Sequence, residues 1–75
     1  MLTVRAFARY KSLLGFDCVQ LPLPSPANLG TLLADPRFEA LPKDTLLAVN
    51  QRFADPDFTL SDGDEVALMP PVSGG

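Results

Sequence analysis

The sequence contains no histidine, no tryptophan and a single cysteine, Cys18, in 75 residues. Without an imidazole and with one thiol, the chain by itself cannot assemble a zinc site or a Ser/His or Cys/His nucleophile pair, and no disulfide can close within it. A lone cysteine fits a reducing compartment. The start, Met1-Leu2-Thr3-Val4-Arg5, has neither the charged and apolar regions of a secretory signal nor the ~18 apolar residues of a membrane span. The expected location is therefore the cytoplasm, with no membrane partner. Basic residues are also scarce, six against nine acidic for a net charge of −3. Nucleic-acid domains usually carry the opposite balance, so no nucleic-acid partner is expected. The charge is uneven: residues 1–43 hold five basic and three acidic side chains, residues 44–75 one basic and six acidic.

What is present is an apolar fraction of 47%, enough for one small globular domain near the lower size limit for folding unaided. Eight Pro and five Gly supply turns without reaching the bias that marks disorder. Leu2, Val4 and Ala6 alternate with Thr3, Arg5 and Phe7, as in a half-buried strand. Tyr10, Leu13 and Leu14 then fall at helical spacing, and Gly15 follows as a helix-ending residue. Asp17 to Leu23 reads as a strand with Val19, Leu21 and Leu23 on one face, and Pro22 makes it an edge. Ser25-Pro26 reads as the N-cap and first position of a helix running to about Ala34, with Leu29, Leu32 and Leu33 inward. Residues 36–44 read as irregular, with Phe38 and Leu41 against the core. Thr45–Val49 reads as a buried strand, 50–58 as a turn-rich connection, 61–64 as a turn and Glu65–Met69 as the last strand. This order predicts an α+β, ubiquitin-like β-grasp domain over residues 1–69, a mixed sheet with one main helix across one face and its first and last strands adjacent at the centre.

Residues 70–75, Pro-Pro-Val-Ser-Gly-Gly, lack the apolar pattern of an element. Pro70 and Pro71 fix φ near −65° and favour an extended path, so the tail should project from the sheet. Six extended residues reach ~20 Å. Gly74 and Gly75 leave only backbone around the last carboxylate, a shape suited to a narrow channel in which an acyl carbon meets a reagent.

Three segments carry a family resemblance: Phe7-Ala8-Arg9-Tyr10-Lys11-Ser12-Leu13-Leu14-Gly15, Leu47-Ala48-Val49-Asn50-Gln51, and Asp62-Gly63-Asp64-Glu65-Val66-Ala67-Leu68-Met69-Pro70-Pro71-Val72-Ser73-Gly74-Gly75. Together they resemble the ubiquitin-like sulfur carrier proteins, and among them the small subunits of molybdopterin synthase, over the whole chain. The resemblance implies a carrier that is no enzyme on its own and binds no cofactor. A partner adenylating enzyme would use ATP to activate the Gly75 carboxylate, which is then converted to a thiocarboxylate. The large synthase subunit, with which it forms a heterotetramer, would receive the tail and supply every acid and base. The sulfur would convert cyclic pyranopterin monophosphate into molybdopterin. Gly75 and Gly74 would carry the chemistry, and Phe7, Met69, Pro70, Pro71, Val72 and Ser73 would dock the partner. Other readings keep the chemistry but change the acceptor to thiamine thiazole, a tRNA base or a protein lysine. A further one makes the domain a non-covalent adaptor with an idle tail.

Cys18 reads as a half-buried packing residue, not a sulfur relay, since no local base or cation stands ready to lower its pKa. Asp62-Gly63-Asp64 reads as a turn, because most ligands of a calcium loop are missing. The acidic residues Asp55, Asp57, Asp62, Asp64 and Glu65 read as solvated surface first and as a docking field for a basic partner second. Phe7 fits this scheme least, since alternation sets it away from Leu2 and Val4. It belongs either to a docking patch with Met69, joined by Leu46 and Ala48 or by Leu47 and Val49, or to a core beneath the 50–60 loop.

Overall fold

The computed structural model describes residues 1–71. Strand β1 (Leu2–Ala6) leads into helix α1 (Tyr10–Leu14), β2 (Cys18–Leu21) and helix α2 (Leu29–Leu33). A 3-10 turn at Pro36–Phe38 precedes β3 (Leu46–Val49), β4 (Arg52–Phe53) and β5 (Glu65–Met69). The strands form one sheet in the order β2-β1-β5-β3-β4. β1 and β5 pair in parallel at its centre, and the other neighbours are antiparallel. This is the β-grasp arrangement predicted from the sequence, with β2 at an edge.

Alternation decides which side of the sheet is dry. Leu2, Val4 and Ala6 of β1 and Val66 and Leu68 of β5 are buried, and they share one core with Leu29, Leu32, Phe38, Val49 and Leu60. Tyr10 of α1 is also in that core, 1% exposed. Gly15 ends α1 at φ +83°, its N–H donating to the Lys11 carbonyl at 2.9 Å. Phe38 is buried as expected, and Leu41 packs against the core. The 3-10 turn is capped by Asp35, whose carboxylate accepts the Arg37 N–H at 2.9 Å. That hydrogen bond holds the Asp35 carboxyl below its ordinary pKa.

Four details depart from the sequence reading. Helix α2 begins at Leu29, not after Ser25, and Asn28 is its N-cap, accepting from Thr31 N at 2.8 Å. Residues 27 and 28 are committed to another segment: the Ala27 carbonyl accepts from Leu60 N at 2.8 Å, and Asn28 bridges to Thr59. The same segment presses on the helix at Gly30, whose N–H donates to the Pro56 carbonyl at 2.9 Å. A Cβ on Gly30 would stand 3.3 Å from that oxygen, which accounts for a glycine at a helical position. Second, β2 ends at Leu21, so Leu23 is exposed instead of facing inward. Third, Cys18 is exposed rather than half-buried, because it pairs with Arg5 on the side of the sheet away from the core.

Fourth, the connection after β3 contains a strand. Asn50 (φ +52°) and Gln51 (φ +69°) form a two-residue left-handed turn that returns the chain as β4. Such turns favour glycine or asparagine. Asn50 compensates through its side chain, which accepts from Glu65 N at 3.0 Å and donates to Asp64 Oδ1 at 2.9 Å. Gln51 has no such bonds among the described residues. Gln51→Gly is therefore expected to stabilise the domain by up to about 1 kcal/mol, the relief of left-handed strain exceeding the added freedom of the unfolded chain. Asn50→Gly should lower stability because its hydrogen bonds are lost. Chemical denaturation of both variants checks the opposite signs.

Candidate docking face and tail exit

Strand pairing fixes which side chains meet on the face opposite the core. Arg5 lies opposite Ala67, Leu46 opposite Met69 and Ala48 opposite Phe53. Phe7 follows at the end of β1, where its N–H donates to the Leu68 carbonyl at 3.1 Å. One face therefore brings together Phe7, Leu46, Ala48, Phe53, Ala67 and Met69. Phe7 and Met69 are half-buried and outside the core cluster. The register selects Leu46 and Ala48, while Leu47 packs toward the core and Val49 belongs to it. Phe7 therefore lies outside the core cluster, on the opposite face beside Gln51 and Phe53.

Phe53 was not anticipated. It is 77% exposed, and its place depends on the hairpin turn, which has no glycine to announce it. The signal in the sequence was Asn50 followed three residues later by an aromatic. A concavity of about 280 Å³ lies between Phe7, Phe53, Ala48 and Met69, with Arg5 and Glu65 on its wall. The Arg5 guanidinium carbon stands 5.2 Å above the centre of the Phe7 ring.

The chain leaves this face at its end. Met69 closes β5 opposite Leu46, and Pro70 and Pro71, both half-buried, follow directly. Because β1 and β5 are parallel, the exit lies at the same end of the sheet as Phe7 and α1. Val72, Ser73, Gly74 and Gly75 lie outside the described residues. Of the residues the sequence assigned to the site, the structure thus brings Phe7 and Met69 to one face and Pro70 and Pro71 to its edge.

This arrangement can be compared with known proteins. The model of the ThiS family matches residues 4–75. The chain belongs to the ThiS family. Within reach of this family, the molybdopterin synthase sulfur carrier subunit of Escherichia coli K12 is 40% identical over 81 aligned positions that span 100% of both chains. The structure of a putative molybdopterin converting factor subunit 1 from Pyrococcus furiosus matches with a TM-score of 0.83 at 32% identity, over 95% of this chain and 97% of that one. Small archaeal modifier protein 1 of Haloferax volcanii matches with a TM-score of 0.77 at 25% identity, over 95% and 97%. By name these relatives are a sulfur carrier subunit, a putative converting factor subunit and a modifier protein, and the two solved structures share the β-grasp fold with this ThiS-family chain.

A patch and a core predict different mutants. Phe7→Ala and Phe53→Ala should each leave the domain folded, since neither ring belongs to the core cluster. If the face docks a partner, each should weaken that partner's binding by about 2 kcal/mol, as loss of an aromatic anchor does. Paired unfolding and affinity measurements check this: an unfolded mutant would place the ring in the fold's own support, and a folded one with unchanged affinity would remove it from the interface.

Proposed function

We propose that this chain is a sulfur carrier for molybdopterin synthesis, acting as the small subunit of a synthase heterotetramer. The observation that carries this reading is the ThiS-family match reaching residue 75, joined to a central strand whose exit lies beside an apolar face that no helix among the described residues covers. Gly75 is the reacting residue. Its carboxylate oxygen attacks the α-phosphate of ATP on a partner adenylating enzyme, and pyrophosphate leaves. Sulfur at the sulfide level, as hydrosulfide, then attacks the acyl carbon, the C–O bond to AMP breaks, AMP leaves, and loss of the S–H proton gives a thiocarboxylate. The large subunit holds the tail while the sulfur passes to cyclic pyranopterin monophosphate.

The chain contributes position, not proton transfer. With no histidine in the sequence, its part is to dock through Phe7, Phe53 and Met69 and to aim Pro70, Pro71, Val72 and Ser73 into the partner, with Gly74 keeping the acyl carbon unobstructed. No helix among the described residues is long and apolar enough to cross a membrane, and we place the carrier in the cytoplasm. The test is the intact mass of the protein from its native host: one terminal oxygen replaced by sulfur is the expected result. Persistent absence of that form after incubation with activating enzyme, ATP and a sulfur source would leave the tail idle and the domain an adaptor. The likeness to an archaeal modifier protein favours one second reading, a lysine acceptor. It would appear as a covalent adduct that loses the mass of one water.

A further inference from the structure

On the helix-free face, the side chain of Arg5 is the cation among Phe7, Ala67 and Met69. It is held above the Phe7 ring at 5.2 Å, and its Nη1 stands 3.9 Å from Glu65 Oε2, too far for a hydrogen bond. Among the described residues it donates no side-chain hydrogen bond. It also stands between two concavities, the one near Phe53 and a second of about 350 Å³ whose wall includes Thr3, Lys11 and Cys18. Arg5 is thus an exposed guanidinium with unused donors, fixed by an aromatic ring at the centre of an apolar face.

Burying this face would strip water from Arg5. A guanidinium desolvated without acceptors is strongly unfavourable, so a partner that covers the face must supply one. The geometry suits a carboxylate, which a planar guanidinium can bind through two parallel N–H donors. We propose that Arg5 is the specificity residue of the docking face and receives a carboxylate that the partner surface sets among apolar side chains. This rests on the reading that the face docks the large synthase subunit. Glu65 then acts as a resident competitor for the same cation, which keeps Arg5 oriented in the free carrier and yields it on docking.

The proposal fixes opposite signs for two neighbouring substitutions. Arg5→Ala should weaken binding of the large subunit from the same organism roughly tenfold, the loss expected for one charge-assisted contact. Arg5→Lys should recover part of that loss. Glu65→Gln should tighten binding, since the competing charge is gone. Wild-type affinity should fall with added salt, and that of Arg5→Ala should fall less. Thermal melting of the free variants verifies that they are folded, and both side chains are exposed enough for this to hold. Unchanged affinity of folded Arg5→Ala would overturn the proposal. So would weaker binding by Glu65→Gln, which would make Glu65 the counter-ion of the docked state. If the wild-type chain fails to bind the large subunit at all, the functional reading itself fails, an outcome distinct from both.

Discussion

Removing Gly75, or adding one residue after it, is expected to abolish sulfur transfer while leaving the domain folded. Under the proposed function the reacting carbon is that of Gly75, and one residue of extended chain displaces it by ~3.3–3.6 Å. A site arranged for attack at contact distance does not tolerate a shift of that size. The domain is indifferent to the change because its core is built from residues between Leu2 and Leu68. Product formation by the synthase and melting of the isolated carrier together test this. Near-normal product from either variant with unchanged melting would defeat the placement of the chemistry at Gly75. Replacing Gly74 by Val should act in the same direction, by bulk beside the acyl carbon and restricted φ.

The second large effect is on stability and comes from Tyr10. Its ring is buried in the core, and its hydroxyl lies 3.0 Å from Thr45 Oγ1. Thr45 Oγ1 donates its own proton to the Pro42 carbonyl at 2.7 Å, so the tyrosine hydroxyl is the donor to the threonine. The pair ties α1 to the segment before β3, across 35 residues of sequence. Tyr10→Ala removes ring and hydroxyl together and should cost about 3–5 kcal/mol, comparable to the whole stability of so small a core. Tyr10→Phe keeps the ring and should cost only about 1 kcal/mol. Urea unfolding of the two variants checks the contrast. A large loss in Tyr10→Phe would shift the burden from packing to the hydroxyl chain.

The parts legible in the sequence were those written in local periodicity. β1, α1 and β5 follow from the alternation of Leu2, Val4 and Ala6, from Gly15 at the helix end, and from the five residues Glu65–Met69. The facing of Phe7 followed from the same counting. The misplaced parts depend on contacts distant in sequence. Ser25-Pro26 has the composition of a helix start, yet hydrogen bonds from residues 56–60 fix the start at Asn28 instead. β4 escaped notice because its turn uses Asn50 and Gln51 where glycine would have marked it, and Phe53 was lost with it. Cys18 looked half-buried because an isolated strand does not reveal which of its faces will be covered.

The parallel pairing of β1 with β5 also constrains when this domain can form. Thr3 must meet Glu65, and Ala6 must meet Leu68, so the central ladder of the sheet closes a loop of about sixty residues before it contributes any stability. Loops of that span slow folding relative to a helical bundle of equal length. During synthesis the first strand has no central neighbour until nearly all of the chain described here has left the ribosome. Hairpin pairing of β1 with β2 can come early, but the core cannot be sealed. A truncated product ending before residue 65 would therefore expose Leu2, Val4 and Ala6 and be open to proteolysis. Under the proposed function, an activating enzyme that recognises the assembled sheet would then meet only chains that have already added β5.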